Sequence, residues 1–228
     1  MCARPRKASD AEIFAAAGRT MARLGPAQIT LAAIAADAGL TPGALVQRFG
    51  SKRELLLAVS ADAARGVQAS FAGLRARHRS PLAALGAYAD FMAGMGASPG
   101  VVAHQLAYFQ VDLTDRDFHQ HTLTMARATQ AALVALLRGA VDAGELRRQT
   151  DLAALARSIQ AMLGGSLMSW AVLREGTASD WITADLALLV GAWLTPRGRR
   201  AWIRSRRPTA PGPRRPTTTP RSRRRPTG

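Results

Sequence analysis

Residues 29–54 constrain the fold of this chain more than any other segment, because they predict two short helices joined by a tight turn. Thr30 is a good N-cap, and apolar residues follow it at helical spacing. Gly39 comes directly after the last of these, where a left-handed C-cap favours glycine. Thr41 caps the second helix, and Pro42 occupies its first position, where the missing N–H costs nothing. Two short helices crossed in this way form the unit that places its second helix in a DNA major groove.

The second of these helices predicts a surface that approaches DNA closely. Its first residues are small, so the backbone can come near a partner, and the amides at a helix N-terminus favour a phosphate. Leu45 and Phe49 lie four residues apart and are expected to face the core, which leaves the residues between them facing outward, within reach of base edges or phosphates. A Ser51–Glu54 capping box begins a third helix beside the expected DNA backbone. The predicted DNA contacts are Thr30, Thr41, Pro42, Gly43, Ala44, Gln47, Arg48 and Lys52.

A short basic arm, formed by Arg4, Arg6 and Lys7, precedes the first helix. A capping box of Ser9 and Glu12 indicates where that helix begins. Such an arm contacts phosphates or the minor groove in some DNA-binding proteins, and it is a solvated terminus in others. The sequence leaves both interpretations open, and the three basic residues are included among the predicted DNA contacts.

The first quarter of the chain contains a dense motif. Its residues are Ile13-Phe14-Ala15-Ala16-Ala17, Gly25, Thr30-x-x-x-Ile34-Ala35-x-x-Ala38-Gly39-Leu40-Thr41-Pro42-Gly43-Ala44-Leu45 and Phe49-x-Ser51-Lys52-x-x-Leu55-Leu56. This motif resembles the N-terminal domain of the TetR family of transcriptional regulators. The resemblance implies a homodimer with a DNA-reading head and an all-helical body that senses a small molecule.

The chain departs from the family pattern at two positions of the second short helix. The family commonly has an aromatic residue after the leucine of this helix, and another aromatic residue or a histidine two positions later. Val46 and Arg48 occupy these places here. The family's operator sequences therefore cannot be transferred to this chain, and a head that has stopped reading DNA is an alternative.

Positive charge is concentrated at the two ends of the chain. The formal net charge is +16. Residues 1–54 have eight basic and four acidic side chains, residues 55–195 have eleven of each, and residues 196–228 have twelve arginines and no acid. We therefore predict a helix-turn-helix DNA-binding domain at 1–54, a ligand-binding and dimerisation domain at 55–195, and a disordered basic tail at 196–228. That tail either adds nonspecific DNA affinity or has no specific role.

The fold class predicted for the whole chain is all-α, with a three-helix helix-turn-helix head, a helical body and about nine helices. Helical periodicity extends over nearly all of the chain, of which 48% is hydrophobic, and strand-like alternation is rare. Cys2 is the one cysteine, which excludes an intramolecular disulfide and a cysteine-cluster zinc site. The longest apolar run, residues 186–194, is too short to span a bilayer, so we expect a cytoplasmic protein with no membrane partner. No cofactor is expected.

Methionine and aromatic residues are concentrated in the middle of the chain, with a few polar groups among them. Mostly apolar walls with a few polar anchors are typical of small-ligand sites, although the same residues could form ordinary core. The low charge of these helices favours an apolar or aromatic effector. The predicted ligand-binding residues are Phe91, Met92, Met95, His104, Tyr108, Phe109, His121 and Met125.

An acidic and histidine-rich stretch at residues 112–121 indicates an alternative function, that of an α-helical metal-dependent protein or enzyme. His119 and His121 cannot chelate one ion together, because side chains two residues apart on a helix point about 200° away from each other. Acidic residues that stabilise a helix N-terminus explain the stretch without a metal. The sequence has no evident nucleophile–base pair or phosphate loop, so we predict that the chain is not an enzyme.

Two apolar helices near the C-terminus predict a dimer interface, because apolar residues occupy more than one face of each. In the resembling family the corresponding helices form a four-helix bundle between two subunits. Burial entirely within one protomer is the alternative. The residues predicted for dimerisation are Leu155, Ile159, Met162, Leu163, Trp170, Leu186, Leu189 and Trp193.

These features predict a TetR-like regulator, more specifically a repressor, that binds double-stranded DNA as a homodimer. Two-fold symmetry would place the two reading helices about one DNA turn apart on a palindromic operator. A small apolar ligand in the body would release the protein by changing the spacing of the heads.

Overall fold

The computed structural model describes residues 8–206, which fold into ten α-helices. The described residues contain no β-strand, apart from one isolated bridge between Leu146 and Leu194. The predicted all-α class is confirmed, with one helix more than the nine expected. The helices are α1 Asp10–Gln28, α2 Leu31–Ala38, α3 Pro42–Phe49, α4 Lys52–Arg77, α5 Pro81–Gly94, α6 Pro99–Thr114, α7 Arg116–Asp142, α8 Leu152–Leu173, α9 Ala178–Gly191 and α10 Pro196–Ser205.

The helices of the N-terminal head begin at the capping residues that the sequence predicts. Ser9 and Glu12 form a capping box at the start of α1. The hydroxyl of Thr30 accepts a hydrogen bond from the backbone N–H of residue 33, and that of Thr41 accepts one from residue 44. Ser51 does the same at the start of α4. Local hydrogen bonds of this kind stabilise a helix end by about 1 kcal/mol each, so these starts depend little on tertiary packing.

The head is built around a small core to which α1, α2, α3 and the start of α4 all contribute. Its fully buried side chains include Ile13 from α1, Ile34 from α2, Leu45 from α3 and Leu55 from α4. Because Leu55 belongs to this core, the first turn of α4 is fixed to the head. The whole 26-residue helix is about 39 Å long, and its later turns pack along α7. Helix α4 therefore connects the head rigidly to the body.

The body has a larger core, which lies between α5, α7, α8 and α9. Its fully buried side chains come from all four helices, as the predicted apolar periodicity requires. They include Leu82, Leu85, Leu133, Leu137, Ile159, Leu163, Ile182 and Leu186. Within residues 8–206, no helix is both long enough and apolar enough to cross a membrane.

The C-terminal helix α10 corrects the prediction that disorder begins at residue 196. Trp202 is buried against the body core, and α10 packs on α5. Thr195 caps the helix, accepting a hydrogen bond from the N–H of Gly198 at 3.0 Å. Arg206, directly after α10, forms an ion pair with Asp90 of α5. The prediction of disorder rested on the arginine-rich composition of this segment. That composition does not show that Trp202 packs against the body core and holds the helix in place. The rest of the predicted disordered tail, residues 207–228, lies outside the described residues.

Gly198 should tolerate no side chain, because a Cβ there would overlap the backbone carbonyl of Glu145. We expect Gly198→Ala to lower the free energy of unfolding by about 1–3 kcal/mol, as overpacking does. Gly18→Ala is the matched control, since that helical glycine is exposed and has open space around it. The control should raise stability by about 0.5–1 kcal/mol. Urea unfolding followed by circular dichroism measures both, and equal stability of the two variants would contradict the packing of α10.

Candidate nucleic-acid interface

Helix α3 lies on the surface of the head with one face anchored and the other open. Leu45 is fully buried, and the ring of Phe49 packs on that of Phe14 with their centroids 5.9 Å apart. The opposite face is exposed and includes Val46 and Gln47. None of residues 8–206 covers this face, so about two turns of α3 are free to enter a DNA groove.

The start of α3 allows close approach by a partner. Thr41, Pro42 and Gly43 are exposed, and Ala44 is half-buried. A Cβ added at Gly43 would find no atom within 4 Å, so open space surrounds this backbone. The N–H of Gly43 has no hydrogen-bond partner among residues 8–206 and is available to an incoming phosphate, whereas the N–H of Ala44 donates to the Thr41 cap.

Two polar side chains of α3 were predicted to face DNA, and the structure distinguishes them. Gln47 makes no hydrogen bond to another residue of the described range, so its amide is available to a base edge. Arg48 is engaged within the head: Nη1 donates to the carbonyl of Ala8 at 2.6 Å, and Nη2 lies 2.7 Å from a carboxylate oxygen of Asp10. Arg48 therefore ties the end of α3 to the start of α1, while 42% of its side chain stays exposed.

The predicted flanking contacts lie at two neighbouring helix starts. Lys52, in the first turn of α4, donates from Nζ to the carbonyl of Ile29 at 3.2 Å, next to the Thr30 cap of α2. Both Lys52 and Thr30 are exposed. The structure thus brings these two residues together beside α3. Arg4, Arg6 and Lys7 lie outside the described residues.

Helix α6 of the body packs against α1 of the head at a break in α1. Gly25 has a φ of +68°, a conformation that favours glycine, and Pro26 follows it. The ring of His104 lies against this break, and its Nδ1 donates to the carbonyl of Ala22 at 2.8 Å. A Cβ at Gly25 would come within 2.7 Å of the His104 ring. The sequence did not indicate this contact, because it joins residues far apart in the chain.

An ion-pair cluster joins the start of α4 to the start of α7. Arg53 lies 2.8 Å from a carboxylate oxygen of Asp115 and 2.9 Å from one of Asp117, and its guanidinium is 5.4 Å from the centroid of the Phe118 ring. These two acids belong to the stretch for which a metal was considered, and here they pair with an arginine. Within residues 8–206 no three His, Cys, Asp or Glu side chains are placed to hold a metal ion.

A cavity of about 300 Å³ lies between the head and the body. Met21 and Ile29 line it from the head, and Val111 and Phe118 line it from the body. Tyr108 of α6 also packs against the head core, and its hydroxyl is buried without a hydrogen-bond partner. Burial raises the pKa of the Tyr108 hydroxyl to about 12.

Asp112 lies on the same wall of this cavity, one helical turn beyond Tyr108. Burial raises the pKa of its carboxyl above the usual value, and a hydrogen bond with the side chain of Thr122 partly opposes that shift. The cavity therefore combines mostly apolar walls with two partly desolvated polar groups, and Lys52, Arg53 and Asp115 also line it.

Two family models match the chain. The model described as "Bacterial regulatory proteins, tetR family" matches residues 13–59, which include the whole of α3. The model described as "Tetracyclin repressor-like, C-terminal domain" matches residues 87–186 of the body. The chain belongs to the TetR family. It is a transcription regulator with a helix-turn-helix DNA-binding head and a ligand-binding body, as the resemblance implied. No curated protein sequence matches the chain significantly.

Solved structures of several TetR-family regulators share this fold. A TetR transcription regulator from Haloarcula marismortui ATCC 43049 has a TM-score of 0.64 at 18% identity, over 82% of this chain and 98% of that chain. SmeT, the repressor of the Stenotrophomonas maltophilia multidrug efflux pump SmeDEF, has a TM-score of 0.58 at 23% identity, over 83% and 92%. FadR from Bacillus subtilis in complex with stearoyl-CoA has a TM-score of 0.60 at 16% identity, over 80% and 98%.

The predicted ligand-binding residues of this TetR-family member lie at several places in the body. Tyr108 is the one that lines the cavity at the junction. His104 bonds to α1, and Met92 packs on the body core. His121 is half-buried. The remaining four are exposed at the protein surface: Phe91, Met95, Phe109 and Met125.

The predicted dimerisation residues lie mostly inside the protomer, and other apolar side chains of α8 and α9 are exposed. Five of the eight belong to the body core and cannot face a second subunit: Leu155, Ile159, Leu163, Trp170 and Leu186. Met162, Leu189 and Trp193 are half-buried. The exposed apolar side chains of α8 and α9 are instead Met168, Val172, Leu173 and Leu188. Periodicity identified the buried face of each helix, whereas an interface between subunits requires the opposite face.

Replacing Tyr108 by phenylalanine should stabilise the free protein, because it removes a buried hydroxyl that has no partner. We expect Tyr108→Phe to raise the free energy of unfolding by about 1 kcal/mol. Tyr88→Phe is the control, since Tyr88 packs on Phe71 in the body core, away from the junction. It should change stability by less than about 0.5 kcal/mol. Urea unfolding measures both, and a destabilised Tyr108→Phe variant would mean that the hydroxyl has a partner after all.

Proposed function

We propose that this TetR-family regulator is a repressor that binds a palindromic operator as a homodimer and is released by a small, mostly apolar ligand. The observation that carries this proposal is the open outer face of α3, held in place by the fully buried Leu45 on its inner face. A helix anchored in this way presents its outer side chains rigidly, as reading base edges requires.

We assign base contacts and phosphate contacts to different residues of α3 and of the neighbouring helix starts. Gln47 can form two hydrogen bonds with an adenine, and the exposed Val46 can contact a thymine methyl group. The first turn of α3 and Lys52 suit phosphates, which fix the register of the protein on the duplex. The uncovered outer face of α3 favours this function over a head that has stopped reading DNA.

The exposed apolar side chains of α8 and α9 support the homodimer. Val172 and Leu188 are each 79% exposed, and Met168 is 47% exposed. Several large apolar side chains exposed on two helices that pack together mark an interaction site more often than a solvated face. Pairing α8 and α9 of two protomers by a two-fold axis would bury these side chains and place two α3 helices on one side of the assembly.

A ligand can release such a dimer by favouring one orientation of the heads. Two of the similar structures illustrate the range of the family, one being the repressor of a multidrug efflux pump and the other a regulator in complex with stearoyl-CoA. For this chain we favour a small effector, because a cavity of about 300 Å³ is at the low end of ligand pockets. A few kcal/mol of differential affinity would change operator occupancy substantially.

No observation favours catalysis by the acidic stretch at residues 112–121. Asp115 and Asp117 pair with Arg53, and Asp115 also caps α7 by accepting hydrogen bonds from two backbone N–H groups. These contacts give both carboxylates a structural role, so we propose a non-enzymatic regulator.

Gln47→Ala should weaken binding to the operator by about 1–3 kcal/mol, because it removes a base contact without disturbing the head. The operator is the duplex that the full-length protein enriches from a random-sequence library. Fluorescence anisotropy at several salt concentrations measures the affinity, and the salt slope should stay unchanged, since no phosphate contact is lost.

Gln110→Ala is the matched control, because Gln110 is an exposed glutamine on α6 of the body. It should leave operator affinity within about 0.5 kcal/mol of the unmodified chain. If the two variants bound the operator equally well, α3 would not be the reading helix. If no duplex were enriched at all, the head would not bind specific DNA.

Leu188→Glu should convert the dimer to a folded monomer, because it places a charge in the centre of the proposed interface. Leu113→Glu is the control, since Leu113 is also exposed, at 56%, but lies on α6. Sedimentation velocity should show a dimer for the control and a monomer for Leu188→Glu, with the same helical content by circular dichroism. If both variants were dimers, the interface would not include Leu188 of α9.

A further inference from the structure

A buried hydroxyl beside the junction cavity has no hydrogen-bond partner among residues 8–206. The Tyr108 Oη is buried, and no donor or acceptor lies within hydrogen-bond distance of it in residues 8–206. Leaving such a group unpaired costs on the order of the 1–3 kcal/mol lost when a buried hydrogen bond is broken. Tyr108 lines the cavity, so a small rotation of its side chain would bring this oxygen to the cavity wall. A bound molecule that then donates to the oxygen would recover that free energy, so the hydroxyl marks one polar end of a ligand.

The second polar group of the cavity is a carboxyl without a counter-charge. Asp112 lies four residues after Tyr108, on the same face of α6. Its side chain bonds to Thr122, and no basic side chain of the described range lies within ion-pair distance of it. The two cations that line the cavity are already engaged, Lys52 with a backbone carbonyl and Arg53 with two other acids. Burial accordingly raises the pKa of the Asp112 carboxyl.

Apart from Ser60 and Asp115, the rest of the cavity wall is apolar and comes from both units. Met21 and Ile29 belong to the head, Leu56 to the start of α4, and Phe118 to α7. At about 300 Å³ the cavity can accommodate a small aromatic or branched aliphatic body, with room for one polar substituent.

We propose that this junction cavity binds a small lipophilic cation, a compound with an ammonium group on an apolar body. The ammonium would donate hydrogen bonds to the Asp112 carboxylate and to the Tyr108 oxygen. The apolar body would pack against Leu56 and Phe118. A neutral compound of the same shape would leave the Asp112 carboxylate without a counter-charge. An anionic compound would be repelled by that carboxylate.

Binding here would act directly on the head. The cavity is bounded by α1 and the first turns of α4 on one side and by α6 and α7 on the other, so a ligand that fills it changes how the head rests on the body. This regulatory step rests on the proposed function, whereas the binding step does not. The two are therefore tested separately.

The binding step is tested with three compounds of similar size that differ in charge: phenethylamine, 2-phenylethanol and phenylacetate. Calorimetric titration of the full-length protein without DNA should give an affinity for the amine at least about tenfold above that for the alcohol, since a charge-assisted hydrogen bond is worth more than 1.4 kcal/mol. Phenylacetate should bind most weakly. Equal affinity for amine and alcohol in the unmodified protein would overturn the proposal without recourse to any variant.

Two pairs of variants locate the site. Asp112→Asn should reduce the preference for the amine to less than about threefold, whereas Asp142→Asn, at the far end of α7, should leave it intact. Tyr108→Phe should weaken amine binding, whereas Tyr88→Phe in the body core should not. A preference that survives Asp112→Asn would place the amine elsewhere and overturn the assignment.

The regulatory step is tested on the selected operator. Phenethylamine at saturating concentration should lower the operator affinity of the unmodified protein at least about tenfold and leave that of Asp112→Asn unchanged. Amine binding that depends on Asp112 but does not alter operator affinity would overturn the regulatory step alone. If no operator is selected, the proposed function fails, while the calorimetric preference still decides the binding step.

Discussion

The contact between α1 and α6 determines how the reading head is held on the body. Tyr108 comes from the body, yet its ring packs against the core of the head. His104 fits against the break in α1, where Gly25 leaves room for the ring. Because packed interfaces of this kind have few alternative arrangements, the direction in which α3 points depends on a small number of side chains at this contact.

Helix α4 is the second element that joins the head to the body. Its first turn belongs to the head through Leu55, and its later turns pack along α7. Arg53 adds ion pairs to Asp115 and Asp117, but these are partly exposed and each contributes little to stability. Weak polar contacts beside a rigid helix can be exchanged at small cost, which is compatible with the proposed movement of the head on ligand binding.

The sequence predicted the head well and the body less well, for a physical reason. The caps at Thr30 and Thr41 and the glycine turn between them are local features, so neighbouring residues suffice to specify them. Apolar periodicity found Ile159 and Leu186 to be buried, but periodicity cannot tell whether a helix is buried by its own chain or by a second one. Trp202 was missed because one aromatic residue among arginines has little effect on composition.

The outer face of α3 has a consequence for how regulators of this kind diversify. Gly43, Val46 and Gln47 are exposed and make no contribution to the core of the head, which depends on Leu45 and its neighbours. Substitutions at these three positions should therefore change sequence preference at almost no cost to folding. After a gene duplication, one copy could acquire a new target site while its sensing half stayed intact, so the recognition and sensing functions of such a protein can evolve independently.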